Sequence, residues 1–128
     1  MAPAERGTIL FAGGLPGFEA HTEFVLVASP AFDPFSCLQG MGADAPSFLA
    51  IDPRRVVAGY CRSISQADLA RIDATSETPL VWLAVVRPQG GGSVNLRAPI
   101  VINPASMRGL QLVDADDTYP LDHPLAGR

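Results

Sequence analysis

Twelve glycines and twelve prolines are scattered through 128 residues, and they cut the apolar sequence into short runs. Proline breaks a helix interior and glycine weakens one, so no stretch remains in which a long helix could form. The runs are Thr8 to Phe11, Phe24 to Ala28, Phe35 to Gln39, Phe48 to Ile51, Arg55 to Cys61, Leu80 to Val86, Ser93 to Leu96, Pro99 to Asn103 and Gly109 to Asp114. Turn formers separate them at spacings of roughly 8 to 15 positions, which is a strand rhythm. The expected fold is all-β: a small antiparallel β-barrel-like domain with one short helix, taking residues 1–128 as a single domain.

Two segments are more sharply defined. "PLVWLAVVRP" holds seven consecutive apolar residues, Leu80 to Val86, between Pro79 and Pro88, as a strand covered on both faces would. It is expected to be the central strand, with "QGGGS", residues 89–93, linking it to the next as a hairpin. The helix is marked in "ISQADLARI". Ser65 is placed to cap it, Asp68 stands where a capping box needs an acceptor, and Ile64 with Leu69 has staple spacing. Leu69 and Ile72 supply a buried stripe.

Charge and composition remove whole classes of chemistry. The chain contains no lysine, and all nine basic residues are arginines. A Schiff-base lysine, a phosphate-loop lysine and a lysine general base are therefore excluded. A net charge of −4 with no arginine run longer than Arg54-Arg55 argues against direct binding of DNA or RNA. The opening MAPAER lacks the pattern of a signal peptide, and no apolar run approaches the ~18 residues of a membrane span, so no membrane association and a cytoplasmic location are expected. Cys37 and Cys61, 24 positions apart, match no metal or redox spacing and read as buried small hydrophobes.

The stretch "GGLPGFEAHTEFVLV", residues 13–27, invites a ligand-loop interpretation. Gly13, Gly14 and Gly17 do not have the G-x-G-x-x-G spacing of a dinucleotide site, and a strand-like segment follows where a helix is needed. Pro16-Gly17 suits the centre of a type II turn, with Phe18 turned inward beyond it. Glu19, His21 and Glu23 alternate, so on a strand they would share one face and offer a metal site, although a solvated face gives the same pattern. The second histidine is His123, far along the chain. G-x-S-x-G, C-x-x-C and H-E-x-x-H motifs are absent. Asp114, Asp116, Asp117 and Asp122 form an acidic cluster, as a solvated loop or a docking rim for a basic partner. No catalytic group and no cofactor are expected, and residue chemistry favours a binding protein.

The order of motifs resembles the family of the flagellar assembly factor FliW. The resemblance runs through "F-x-x-GLPGFE" at Phe11 to Glu19, "FVLV" from Phe24, "LQ" at Leu38-Gln39 and "FLAIDP" at Phe48 to Pro53. It continues through "S-x-NL-x-APIVIN" at Ser93 to Asn103, "GLQLV" at Gly109 to Val113 and "YPLDHPL" at Tyr119 to Leu125. What it implies is a monomeric, β-barrel-like cytosolic protein without catalytic activity. Such proteins bind the translational regulator CsrA away from its RNA-contacting surface, relieving repression of flagellin messenger RNA, and bind flagellin as the alternative partner. Among the shared motifs, Glu19, Asn95, Arg97 and Gln111 are the expected protein-binding residues, with Asp114, Asp116 and Asp117 as an acidic rim that would speed capture of a basic partner.

The chain departs from the family pattern in two places. Ten residues precede Phe11, where an additional strand-forming stretch is usual, which leaves either an incomplete first hairpin or a start placed too late. "PASMRG" replaces the lysines that ordinarily follow the IN motif, with Arg108 keeping part of that charge. Two competing functions are a small metal- or ligand-binding β-barrel built on Glu19, His21, Glu23 and His123, and a nucleic-acid-binding barrel, which the charge balance disfavours.

Overall fold

A computed structural model describes residues 7–113 and 118–125. Among these described residues nine strands appear, in the order β1 (Ile9–Leu10), β2 (Glu23–Ala28), β3 (Phe35–Gly40), β4 (Ser47–Ile51), β5 (Val81–Arg87), β6 (Ser93–Val94), β7 (Ile100–Asn103), β8 (Arg108–Gln111) and β9 (His123–Pro124). One helix, α1 (Gln66–Arg71), lies between β4 and β5. Seven strands close a barrel in the cyclic order β1-β2-β3-β4-β5-β7-β8, while β6 and then β9 extend from β5. The pairings are antiparallel except at the seam, where Leu10 of β1 runs parallel to Arg108 of β8. That one parallel join departs from the expected all-antiparallel sheet, and the two strands belong to opposite ends of the described chain.

β5 is central, as its unbroken apolar run predicts. β4 pairs with Ala84 to Val86, β6 with Val86 and Arg87, and β7 with Val81 to Leu83. Because neighbouring side chains of a strand point to opposite faces, the run serves two cores at once. Val81, Leu83 and Val85 join Phe24, Leu38, Ala50, Ile100 and Ile102 in the barrel lumen. Ala84 and Val86 pack outside it with Tyr60, Val94 and Leu96, and Trp82 reaches the cluster of Ile72, Val101, Leu110 and Leu112 beneath the helix.

The helix forms where its caps predict. The Ser65 hydroxyl oxygen accepts a hydrogen bond from the Asp68 amide at 3.1 Å, while the Asp68 carboxylate takes Arg71 at 3.4 Å. The buried Asn103 side chain holds the far end against the barrel, donating to the carbonyls of Ile72 at 2.8 Å and Asp73 at 3.2 Å. QGGGS forms the β5–β6 connection as expected, with Gly90, Gly91 and Gly92 all at positive φ.

Several expectations are corrected. Arg55 to Cys61 is no strand, because the Asp52 side chain accepts from the Arg54 amide and starts a 3₁₀ turn at Pro53, and Gly59 then turns the chain at φ +79°. Cys37 and Cys61 are free thiols as expected, yet Cys61 is exposed and Cys37 only half-buried. Cys61 sits on the loop beyond Tyr60, and Cys37 lies on the outer face of its strand. Phe18 is 40% exposed, although its ring does pack edge-to-face on Phe48 at 5.2 Å.

Candidate functional site

The turn at residues 15–18 is built by its two central residues. Proline presets the first dihedral pair, Gly17 supplies φ +86°, and the Phe18 amide donates to the Leu15 carbonyl at 2.7 Å. This is the expected type II corner. Gly14 also has a necessary role, since a Cβ there would stand 2.5 Å from the Glu19 Cα. The coiling continues through His21, whose amide donates to the Phe18 carbonyl at 3.0 Å, so β2 begins only at Glu23. Glu19, His21 and Glu23 therefore do not share a strand face, and the geometry on which a metal site was considered is overturned. Among the described residues, no group of three or more His, Cys, Asp or Glu side chains is placed to hold a metal ion.

The corner lies over one mouth of the barrel lumen and roofs a cavity of about 140 Å³. Leu15, Pro16 and Phe18 come from the corner, Phe48 from β4, and Val85 and Arg87 from β5. Ser93 and Asn95 with Ile100 and Gln111 supply the opposite wall, and Leu121 reaches in from the C-terminal segment. Stretches far apart in sequence, GLPGF, NL-x-API, GLQ and YPLDHPL, thus meet at this one opening. Phe18 and Leu121, 40% and 54% exposed, leave apolar surface at its rim.

The residues expected to bind a partner occupy two kinds of position. Glu19 is exposed, and its Oε2 accepts from the Gly17 amide at 3.0 Å. That bond, and one from its own amide, hold its carboxyl below the ordinary glutamate value. Asn95 is half-buried and its Oδ1 accepts from the Arg97 and Ala98 amides at 3.1 and 3.0 Å. Gln111 Nε2 donates to the Ala98 carbonyl at 2.9 Å, and Arg97 Nε donates to the Tyr119 carbonyl at 2.9 Å. Asn95 and Gln111 line the mouth, whereas Glu19 stands on the corner beside it and Arg97 ties down the C-terminal segment. Asp114, Asp116 and Asp117 lie outside the described residues.

Arg87 and Leu121 did not figure among the expected residues. A signal for Arg87 is present in β5, where Val81, Leu83, Val85 and Arg87 follow the lumen-facing alternation and the last is charged. Leu121 carries no comparable signal, because it belongs to an irregular segment whose path follows from tertiary contacts. A second apolar surface lies on the outside of the barrel, where Val27, Cys37 and Leu49 align across β2, β3 and β4 beside Phe32, which is 68% exposed. No helix of the described residues is long and apolar enough to cross a membrane.

Comparison with known proteins places this barrel. The model of the family described as "FliW protein" matches residues 1–125. The flagellar assembly factor FliW of Bacillus subtilis (strain 168) is 30% identical over 126 residues, covering 96% of this chain and 88% of the relative. That of Caldanaerobacter subterraneus subsp. tengcongensis is 32% identical over 126 residues, covering 94% of this chain and 83% of the relative. A crystal structure of the flagellar assembly factor FliW superposes with a TM-score of 0.86 at 27% identity, covering 100% of this chain and 92% of that one. Family model, relatives and fold agree over nearly the full length, so this chain belongs to the FliW family of flagellar assembly factors.

Proposed function

We propose that this chain is a non-enzymatic, monomeric, cytoplasmic regulator that acts by binding proteins. It sequesters the translational repressor CsrA, which relieves repression of flagellin messenger RNA, and it binds flagellin as the alternative partner. Accumulating flagellin captures the protein and frees CsrA, and secretion of flagellin returns it to CsrA. The observation that carries this function is the match to the FliW family over residues 1–125. The net charge of −4 supports it, since an acidic protein is steered toward a basic RNA-binding partner. Glu19, Asn95, Arg97 and Gln111 are the proposed contact residues, with Asp114, Asp116 and Asp117 as the acidic rim.

Calorimetric titration with CsrA and with flagellin from the same organism tests this directly. Micromolar or tighter binding to each is expected, with flagellin displacing CsrA from a preformed complex. Absence of binding to both would overturn the function.

A further inference from the structure

We infer that the barrel mouth is a receptor for one large apolar side chain with a carboxylate beside it, carried on an exposed segment of a protein partner. This rests on the protein-binding function proposed above and adds to it the chemistry of what enters the site.

Three features of the mouth converge on that ligand. Its volume, about 140 Å³, is that of one aromatic or leucine-sized group, the scale at which an apolar cavity of about 150 Å³ admits a benzene. Its floor is Ile100 and Val85, which belong to the lumen core, and its rim carries the exposed apolar edge of Phe18. An apolar side chain inserted there covers surface that water now touches, the arrangement of an interface anchor in its pocket.

The polar groups of the mouth specify what stands next to that anchor. Arg54, Arg55, Arg71 and Arg108 each face an aspartate, at 2.7, 3.1, 3.4 and 3.4 Å, whereas Arg87 has no carboxylate partner among the described residues. Its place at the end of the lumen-facing row Val81, Leu83, Val85 puts this guanidinium beside the cavity, where it can take a carboxylate through two hydrogen bonds. The Glu19 carboxylate on the neighbouring corner is directed to the Gly17 amide. Asn95 and Gln111 complete the chemistry. The Oδ1 of Asn95 and the Nε2 of Gln111 are engaged by backbone groups, which leaves the Asn95 side-chain NH2 as donor and the Gln111 Oε1 as acceptor for a bound main chain.

Two measurements test the site. In the first, CsrA and flagellin are titrated into the wild-type protein, Arg87→Glu, Arg87→Lys and Arg71→Glu, each checked for folding by its thermal melt. Arg71 lies on α1, so its reversal changes net charge equally at a place remote in the sequence from the mouth. At least tenfold weaker binding of one partner by Arg87→Glu is expected, with only part of it recovered in Arg87→Lys, which keeps the charge but not the paired hydrogen bonds, and Arg71→Glu close to wild type. Equal binding by Arg87→Glu and wild type for both partners would overturn the site while leaving the protein-binding function standing.

The second measurement needs neither partner. A blocked hexapeptide with Phe-Glu at its centre is titrated to millimolar concentration and followed by amide chemical shifts. Shifts confined to Phe18, Arg87, Asn95, Gln111 and their neighbours are expected, lost when the peptide carries Ala-Glu and reduced when it carries Phe-Gln. No shift at the mouth would overturn the site, whatever the partners do. Wild-type protein that binds neither partner yet shows the peptide shifts would overturn only the proposed partners.

Discussion

Gly17 and Gly109 are both required to be glycine, for different physical reasons. Gly17 has φ +86° with nothing within 4 Å of where a Cβ would stand, so its constraint is purely conformational. Gly109 has ordinary backbone angles, but a Cβ there would meet the Phe11 ring at 2.7 and 2.9 Å and Ile102 at 3.1 Å. Gly17→Ala is therefore expected to cost about 1 kcal/mol through backbone strain. Gly109→Ala forces a ring that is already packed edge-to-face on Phe24 and should cost about 1–3 kcal/mol. Urea denaturation of the two variants checks that order. Glu19 adds a pH dependence. Its folded-state pKa lies below the ordinary value of 4.5, so its contribution is complete above that value and disappears as pH falls through the lowered one. An NMR titration should find the Glu19 carboxyl midpoint below 4.5.

At the scale of elements, what was legible in the sequence is what local physics decides. Helix α1 could be read because Ser65, Ile64 and Leu69 act within one or two turns of each other. β5 could be read because seven apolar residues between prolines admit little else. Three elements were decided elsewhere. β9 is two residues long and exists because β6 offers Ser93 and Val94 as partners. The Arg55 to Cys61 run is apolar enough for a strand, but the Asp52 cap and Gly59 turned it into a loop that brings Tyr60 against Tyr119, ring centroids 4.4 Å apart. Glu19 to Glu23 alternates like a strand, but the hydrogen bonds of the corner take precedence. Asn103 shows how elements are held in register, since its amide bonds Ile72, Asp73 and, through Oδ1, the Ala105 amide at 3.0 Å. Asn103→Ala should destabilise by about 1–3 kcal/mol, because the three bonds of this buried amide are lost and only the Ser106 hydroxyl still donates to the Ile72 carbonyl, at 2.9 Å. Loss of helix packing ahead of the barrel, seen as earlier exchange of the α1 amides, would accompany it.

For the whole molecule, the barrel is one closed sheet with a lightly attached margin. β5 and β7 are buried at their centres and bonded on both sides, whereas β9 has a single neighbour and pairs through two residues. Amide exchange is expected to be slowest in β5 and β7, close to the global unfolding free energy, and fastest in β9. Exchange in β9 as slow as in β7 would contradict this hierarchy. The candidate site depends on the closed barrel, so only part of it is legible in the sequence. Asn95 and Gln111 could be chosen from their motifs, but that they share a mouth with Arg87 and Leu121 depends on closure of the sheet.

The parallel seam has a consequence for the ribosome. β1 is made well before β8, so Leu10 waits for Arg108 until the strands between them have emerged. The β2–β3–β4 meander can form early from near neighbours, yet its lumen face stays wet until β5, β7 and β8 follow. The nascent chain thus passes through a stage as an open, half-apolar sheet, and the step that closes it also assembles the mouth. A truncated product lacking β8 would retain the meander and have no site.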